Sequence, residues 1–174
     1  MTLMPRGSDQ LLLPVNPWFL WFSLILALTL DMLPFGRVAA LPDFLAITLV
    51  FWNVHQPRRV GIGAAFFFGL LIDVHQGAVL GQHAQAYTLL SFLAITMHRR
   101  LLWFTLGEQA VQILPLFAIS HAVSLVVRLL SSGSFPGWSM LLAPVFEAAL
   151  WPVVNALLLA PQRRAPDPDR TRTL

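Results

Sequence analysis

Six apolar runs occupy most of the 174 residues, separated by short polar turns. A bilayer-crossing helix needs about 20 apolar residues, fewer where flanking side chains snorkel. On that measure the first span runs near Trp18 to Leu33, ending at Asp31 and Pro34, and the second near Leu41 to Val54. The second opens with Pro42 and Asp43, a proline and a carboxylate where a helix N-terminus favours both. It is short for a full crossing, which tilt or local bilayer thinning would accommodate. The third runs near Val60 to Val79, the fourth near Gln85 to Met97, the fifth near Leu102 to Val127, and the sixth near Trp138 to Leu159, bent by Pro144 and Pro152. The pattern predicts an all-α, polytopic membrane protein with about six transmembrane helices. A six-helix domain at 17–160 is expected between a cytoplasmic leader at 1–16 and a disordered cytoplasmic tail at 161–174, rich in proline, arginine and aspartate.

Charge adds orientation. All 11 positive residues are arginine. Arg6, Arg58 with Arg59, Arg99 with Arg100, and Arg163, Arg164, Arg170 and Arg172 fall on one side of the alternating spans, against Arg37 and Arg128 on the other. The arginine-rich side is the cytoplasmic one, so both termini are expected in the cytoplasm, with the turns around Phe35, Gly81 and Ser132 facing the opposite compartment. Tryptophans at 18, 21, 52, 103, 138 and 151 lie mostly near span ends, as an interfacial belt requires.

Composition narrows the function classes. With 57% apolar and 11% charged residues, the chain lacks the polar surface a water-surrounded domain needs, and lipid is its expected solvent. The arginines form no basic face with interleaved aromatics, which argues against nucleic acid as a partner. Cysteine is absent, excluding disulfides, thiolate metal sites and a cysteine nucleophile. The first fifteen residues show no cleavage-site pattern after a short apolar core and read as part of the leader.

Polar groups inside the spans are the natural functional candidates, because a charge at a helix centre costs roughly 2.5 to 3.5 kcal/mol on insertion scales. Asp31 reads as a solvated helix-end carboxylate, and Asp43 as a capping carboxylate or a functional one. Asp73 lies in the run Gly69-Leu70-Leu71-Ile72-Asp73-Val74-His75-Gln76-Gly77. Two readings stand there: Asp73 and His75 shape a broken or re-entrant segment, or Asp73 ends a helix and makes one interhelical hydrogen bond. Burial of Asp73 would demand a compensating donor, from His75 or elsewhere. Glu108 and Gln112 share a helix face, with His121 off it, and no spacing links the histidines and carboxylates into a metal site. Glu147 and Asn155 share one face of the last helix, with Trp151 between them, as a polar seam toward other helices or a partner.

Small residues are a second signal. Gly61, Ala65 and Gly69 satisfy small-xxx-small at two successive steps, for packing inside the bundle or against a partner helix. No phosphate-binding glycine loop, HExxH or GxSxG element occurs, and no serine has a base and an orienting group in view. Neither catalysis nor a cofactor is expected.

The small six-span size, the Pro42-Asp43-Phe44 start running to Phe51-Trp52, and Gly69-Leu70-Leu71-Ile72-Asp73 continuing to Gly81 and Ala84 together resemble the bacterial rod shape-determining MreD family, over roughly Trp18 to Leu159. The resemblance implies a non-enzymatic inner-membrane subunit of the cell-elongation machinery. Its implied partners are MreC, MreB, RodA and the class B penicillin-binding protein of RodA. It also implies a bundle similar to the substrate-binding subunits of energy-coupling-factor transporters. That likeness supports an alternative, a small-molecule or lipid-binding transport subunit whose pocket is lined by Asp43, Asp73, His75, Glu108 and Glu147.

Overall fold

The computed structural model describes residues 15–33, 42–133 and 135–162. Nearly all of the expected leader and tail, Arg6, Arg37, the arginines from Arg163 onward and the turn at Phe35 lie outside the described residues. The described residues are all-helical: α1 (Pro17–Met32), α2 (Phe44–His55), α3 (Gly61–Gln76), α4 (Gln82–Leu101), α5 (Leu106–Ser132) and α6 (Ala143–Leu159), with 3₁₀ turns at Trp138–Leu142 and Ala160–Gln162.

Local chemistry sets most of the helix boundaries. Asn16 caps α1, its side chain accepting from the Trp18 N–H, and Pro17 follows in the first turn. Asp43 caps α2 through the Ala46 N–H at 2.7 Å. α3 stops where Gly77 turns left-handed at φ 61°. α4 outruns the expected Gln85–Met97 at both ends and includes His98, Arg99 and Arg100, which suit the negative end of a helix dipole. α5 starts at Leu106, four residues later than expected, because Thr105 and Glu108 form a capping box. Pro144 sits in the first turn of α6 and only Pro152 is internal to it.

α2 organises the bundle. Every residue from Leu45 to Val54 is buried, so no face is left for solvent. A helix that is apolar all round belongs in an interior, and α2 packs against α1, α4 and α6. Its 12 residues span about 18 Å, well short of the ~30 Å hydrocarbon core. Enclosure resolves that mismatch: a helix sheathed by its neighbours does not have to match bilayer thickness. Phe51 and Trp52 stack edge to face at 4.9 Å, and Phe51 reaches Trp151 of α6 at 6.3 Å.

Trp52 and Trp151 depart from the expected interfacial belt, since both are fully buried. Each satisfies its indole N–H inside the bundle, Trp52 on Ser23 Oγ at 2.8 Å and Trp151 on Gln109 Oε1 at 3.0 Å. Trp18, Trp103 and Trp138 stand exposed near helix ends, and Trp21 is exposed on α1. Many large apolar side chains are exposed as well: Phe22 and Ile25 on α1, Phe66 and Phe67 on α3, Val111 and Val126 on α5, Val153 and Leu157 on α6. Two helical stretches, Leu106–Ser132 and Trp138–Gln162, are long and apolar enough to cross a membrane. Several hydroxyls return to backbone carbonyls one turn earlier, as Thr96 does to Phe92 and Thr88 to Ala84. That placement removes polar groups from a surface where water is scarce.

The three small residues of α3 have separate fates. Ala65 is buried in the core. Gly69 lies against the backbone of α4: a methyl there would sit 2.4 Å from Ala84 Cα. Gly61 has a left-handed φ of 63° with nothing within 4 Å of its Cβ position, so it serves the α3 start and no close approach requires a glycine there. Gly69→Ala is therefore expected to cost about 3 kcal/mol, the upper end for overpacking, because rigid backbone has to move. Gly63→Ala, where the added carbon meets nothing within 4 Å, should be neutral. Thermal midpoints of the two purified variants in one detergent check both.

Candidate functional site

The ends of the helices at the α1–α2, α3–α4 and α5–α6 connections carry half-buried Asp31 and buried Asp73 and Glu147, each reaching the start of another helix. The most complete case is Asp73, fully buried near the end of α3. Its Oδ1 accepts from the His83 N–H and stands 2.8 Å from His83 Nδ1. Its Oδ2 accepts from the Gly81 N–H at 2.9 Å and the Ala84 N–H at 3.3 Å. Asp73 thus caps α4 from outside it, meeting backbone donors that α4 cannot satisfy within itself. Gly69, one turn earlier, provides the close approach that brings the two helices within reach. His75 is exposed and makes no bond to Asp73; His83 is the histidine partner, because the chain reverses at Gly77 and Gly81 and returns it over the carboxylate. The break in helix at Gly77 ends α3 in an ordinary left-handed cap, so the re-entrant reading is replaced by a clasped hairpin.

Asp31 repeats the device on the first hairpin. Its carboxylate accepts from the Phe44 N–H at 3.0 Å and the Leu45 N–H at 2.7 Å, at the start of α2. The expectation of a merely solvated helix end is corrected: the position is half-buried and its oxygens are committed.

Asp43 links this first clasp to the rest. Besides the Ala46 N–H, it accepts the Tyr87 hydroxyl of α4, and its own N–H donates to Glu147 Oε1 of α6 at 3.2 Å. Glu147 Oε1 is also 2.8 Å from His121 Nε2 of α5. One polar chain therefore joins α2, α4, α5 and α6 through Tyr87, Asp43, Glu147 and His121. Glu147 is fully buried, and its Oε2 has no hydrogen-bond partner among the described residues.

A cavity of about 950 Å³ opens beside this chain. Asp31, Asp43, Glu147, Tyr87, His121 and Arg128 line it, with His75 and His83 also contributing. The other named candidates lie elsewhere. Glu108 is exposed at the start of α5, accepting the Thr105 N–H at 2.9 Å, and is a capping residue. Asn155 is buried one turn past Trp151, with its amide oxygen unpartnered. Tyr87 and His83 were not linked to the carboxylates by spacing alone. The signal for Tyr87 was present: it is the single tyrosine in the chain, placed inside an apolar run where a phenol needs a buried partner.

The profile for the rod shape-determining protein MreD matches residues 14–160. The chain belongs to the MreD family. A relative, the rod shape-determining protein MreD of Haemophilus influenzae, is 27% identical over 154 residues, covering 83% of this chain and 93% of the relative. No solved structure matches the chain. MreD-family membership makes this a membrane protein with a shape-determining, structural role.

Asp73→Asn is expected to be damaging, not silent, because the amide nitrogen would confront donors where an acceptor is required. Loss of one charged acceptor among several N–H groups costs about 3 kcal/mol or more. Glu108→Ala, which removes one end cap, should cost about 1 kcal/mol. Thermal denaturation of both variants in the same detergent gives the comparison, and equal midpoints would contradict the clasp.

Proposed function

We infer that this MreD-family chain is a non-enzymatic inner-membrane scaffold of the cell-elongation complex. In this reading it binds MreC through its transmembrane helices and helps couple MreB filaments to peptidoglycan synthesis by RodA and its class B penicillin-binding partner. The observation that carries the proposal is the family match across residues 14–160. The architecture supports it: the buried polar groups tie helices to one another, and the strongest of them, Asp73, is consumed by capping.

The bundle is proposed to cross the membrane six times, with both termini, the 1–16 leader and the 161–174 tail in the cytoplasm, and to be of the kind found in energy-coupling-factor substrate-binding subunits. The arginine asymmetry supports the orientation. The transport alternative loses two of its five pocket residues, since Asp73 caps α4 and Glu108 caps α5.

The partner surface is proposed on α3 and α6, on faces turned away from the core. Gly69 and Ala65 point inward, so bulky residues there would break the bundle before they tested an interface. Phe66 and Phe67 are exposed on α3 and are the better probes. Affinity capture from native membranes should recover MreC, and Phe66→Ala with Phe67→Ala should reduce that recovery several-fold at unchanged membrane expression. Undiminished capture by every outward-face variant of α3 and α6 would sink the interface assignment.

Orientation has its own test. Because the chain has no cysteine, Ser8→Cys and Ser131→Cys each supply one thiol. A membrane-impermeant maleimide applied to spheroplasts should label Ser131→Cys, and should label Ser8→Cys only after permeabilisation.

A further inference from the structure

The α5–α6 hairpin carries a second, apolar groove of about 180 Å³, lined by Leu114, Ala118, Ala122, Leu125, Leu141 and Val145. It opens outward, since Ala118, Ala122, Leu141 and Val145 are exposed. Its walls are Leu106–Ser132 and Trp138–Gln162, the described stretches long and apolar enough to cross a membrane, so bilayer lipid is what the groove meets. Exposed Trp138, edge to face with Phe135 at 5.4 Å, stands one turn before Leu141 and marks the headgroup level, where tryptophan is favoured. His121 and Met140 line both this groove and the larger polar cavity, so the two compartments share a wall.

Arg128 stands on the polar side of that wall. It follows His121 by seven residues, two helical turns, and so lies on the same face of α5. It is the one described arginine at this end of the bundle, and among the described residues no carboxylate forms an ion pair with it. The carboxylates around the cavity are committed elsewhere, Asp31 to the start of α2, Asp43 to Ala46 and Tyr87, Glu147 to Asp43 and His121. A half-buried guanidinium in an apolar setting calls for an anion, and a phosphate matches its fork of N–H donors.

We propose that the α5–α6 groove binds one phospholipid, with an acyl chain in the groove and the headgroup phosphate on Arg128. The two halves of the site together fix the occupant as a lipid: inorganic phosphate would leave the groove empty, and a plain hydrocarbon would leave Arg128 without its anion. The site rests on membrane placement and is independent of the scaffold reading, so a protein that failed to bind MreC would still hold the lipid.

The test titrates the full chain, delipidated in mild detergent, with phosphatidylglycerol and with the diacylglycerol of the same acyl chains, and reads retained lipid by native mass spectrometry. The expected result is one phosphatidylglycerol held under conditions that strip the diacylglycerol, and not displaced by inorganic phosphate. Arg128→Gln should weaken retention about tenfold or more, as loss of a charged hydrogen bond does. Ala122→Phe, which fills the groove from an exposed position and leaves Arg128 in place, should weaken it as well. Arg58→Gln, in the turn at the opposite end of the bundle, should retain lipid as the wild type does. Thermal midpoints in the same detergent establish that each variant is folded. Equal retention of the two lipids, displacement by inorganic phosphate, undiminished retention in either folded groove variant, or an equal loss in Arg58→Gln overturns the proposal. A second copy of the chain bound in place of lipid overturns it too.

Discussion

The structure depends on one constraint: helix ends that meet inside an apolar bundle cannot rely on water, so their backbone N–H groups need acceptors from the protein itself. Asp73 answers it for α4 with three backbone donors and the His83 ring gathered on one carboxylate. Asp31 answers it for α2. The exchange is reciprocal, because the same helix ends that lack acceptors are the positive poles that make a buried carboxylate tolerable. Acidic residues at the ends of α1 and α3 are therefore structural requirements of tight hairpins, and their cost in an apolar setting is offset by the backbone they complete.

That constraint explains why α2 can be so short. A fully enclosed helix of 12 residues gains its stability from contact with α1, α4 and α6, and its start is held by Asp31, Asp43 and, through the Asp43 N–H, by Glu147. The polar chain at one end and the Phe51, Trp52 and Trp151 cluster further along make α2 the piece against which the outer helices register. The exposed apolar faces of α1, α3, α5 and α6 are left for lipid or for partner helices. This division of labour suits a scaffold, whose inner architecture has to hold while its exterior is exchanged between neighbours.

How much of this was legible along the chain depends on the range of the physics involved. Apolar runs, Pro42-Asp43 at a helix start and the glycines at 77 and 81 act within a few residues, and they marked the helices and turns closely. Glu108 shows the limit of such reading: its polarity marked it as a pocket candidate, whereas its spacing from Thr105 was a capping box visible in sequence. His75 shows another. It is two residues from Asp73, but successive side chains on a helix diverge, while His83 returns across the turn to bond it.

The sequence by itself determined the helical class, the alternation of arginine-rich and arginine-poor turns, and the presence of carboxylates and small residues near helix ends, because these follow from periodicity, transfer cost and local backbone preference. Only the tertiary structure decided which partner each polar group found. Asp43 meets Tyr87 and Glu147 across 44 and 104 residues of chain, Gly69 meets Ala84, and Trp52 and Trp151 turn inward instead of to the interface. Those pairings depend on how helices rotate and cross, which is set by packing the whole bundle at once, and no local pattern encodes the angle at which one helix faces another.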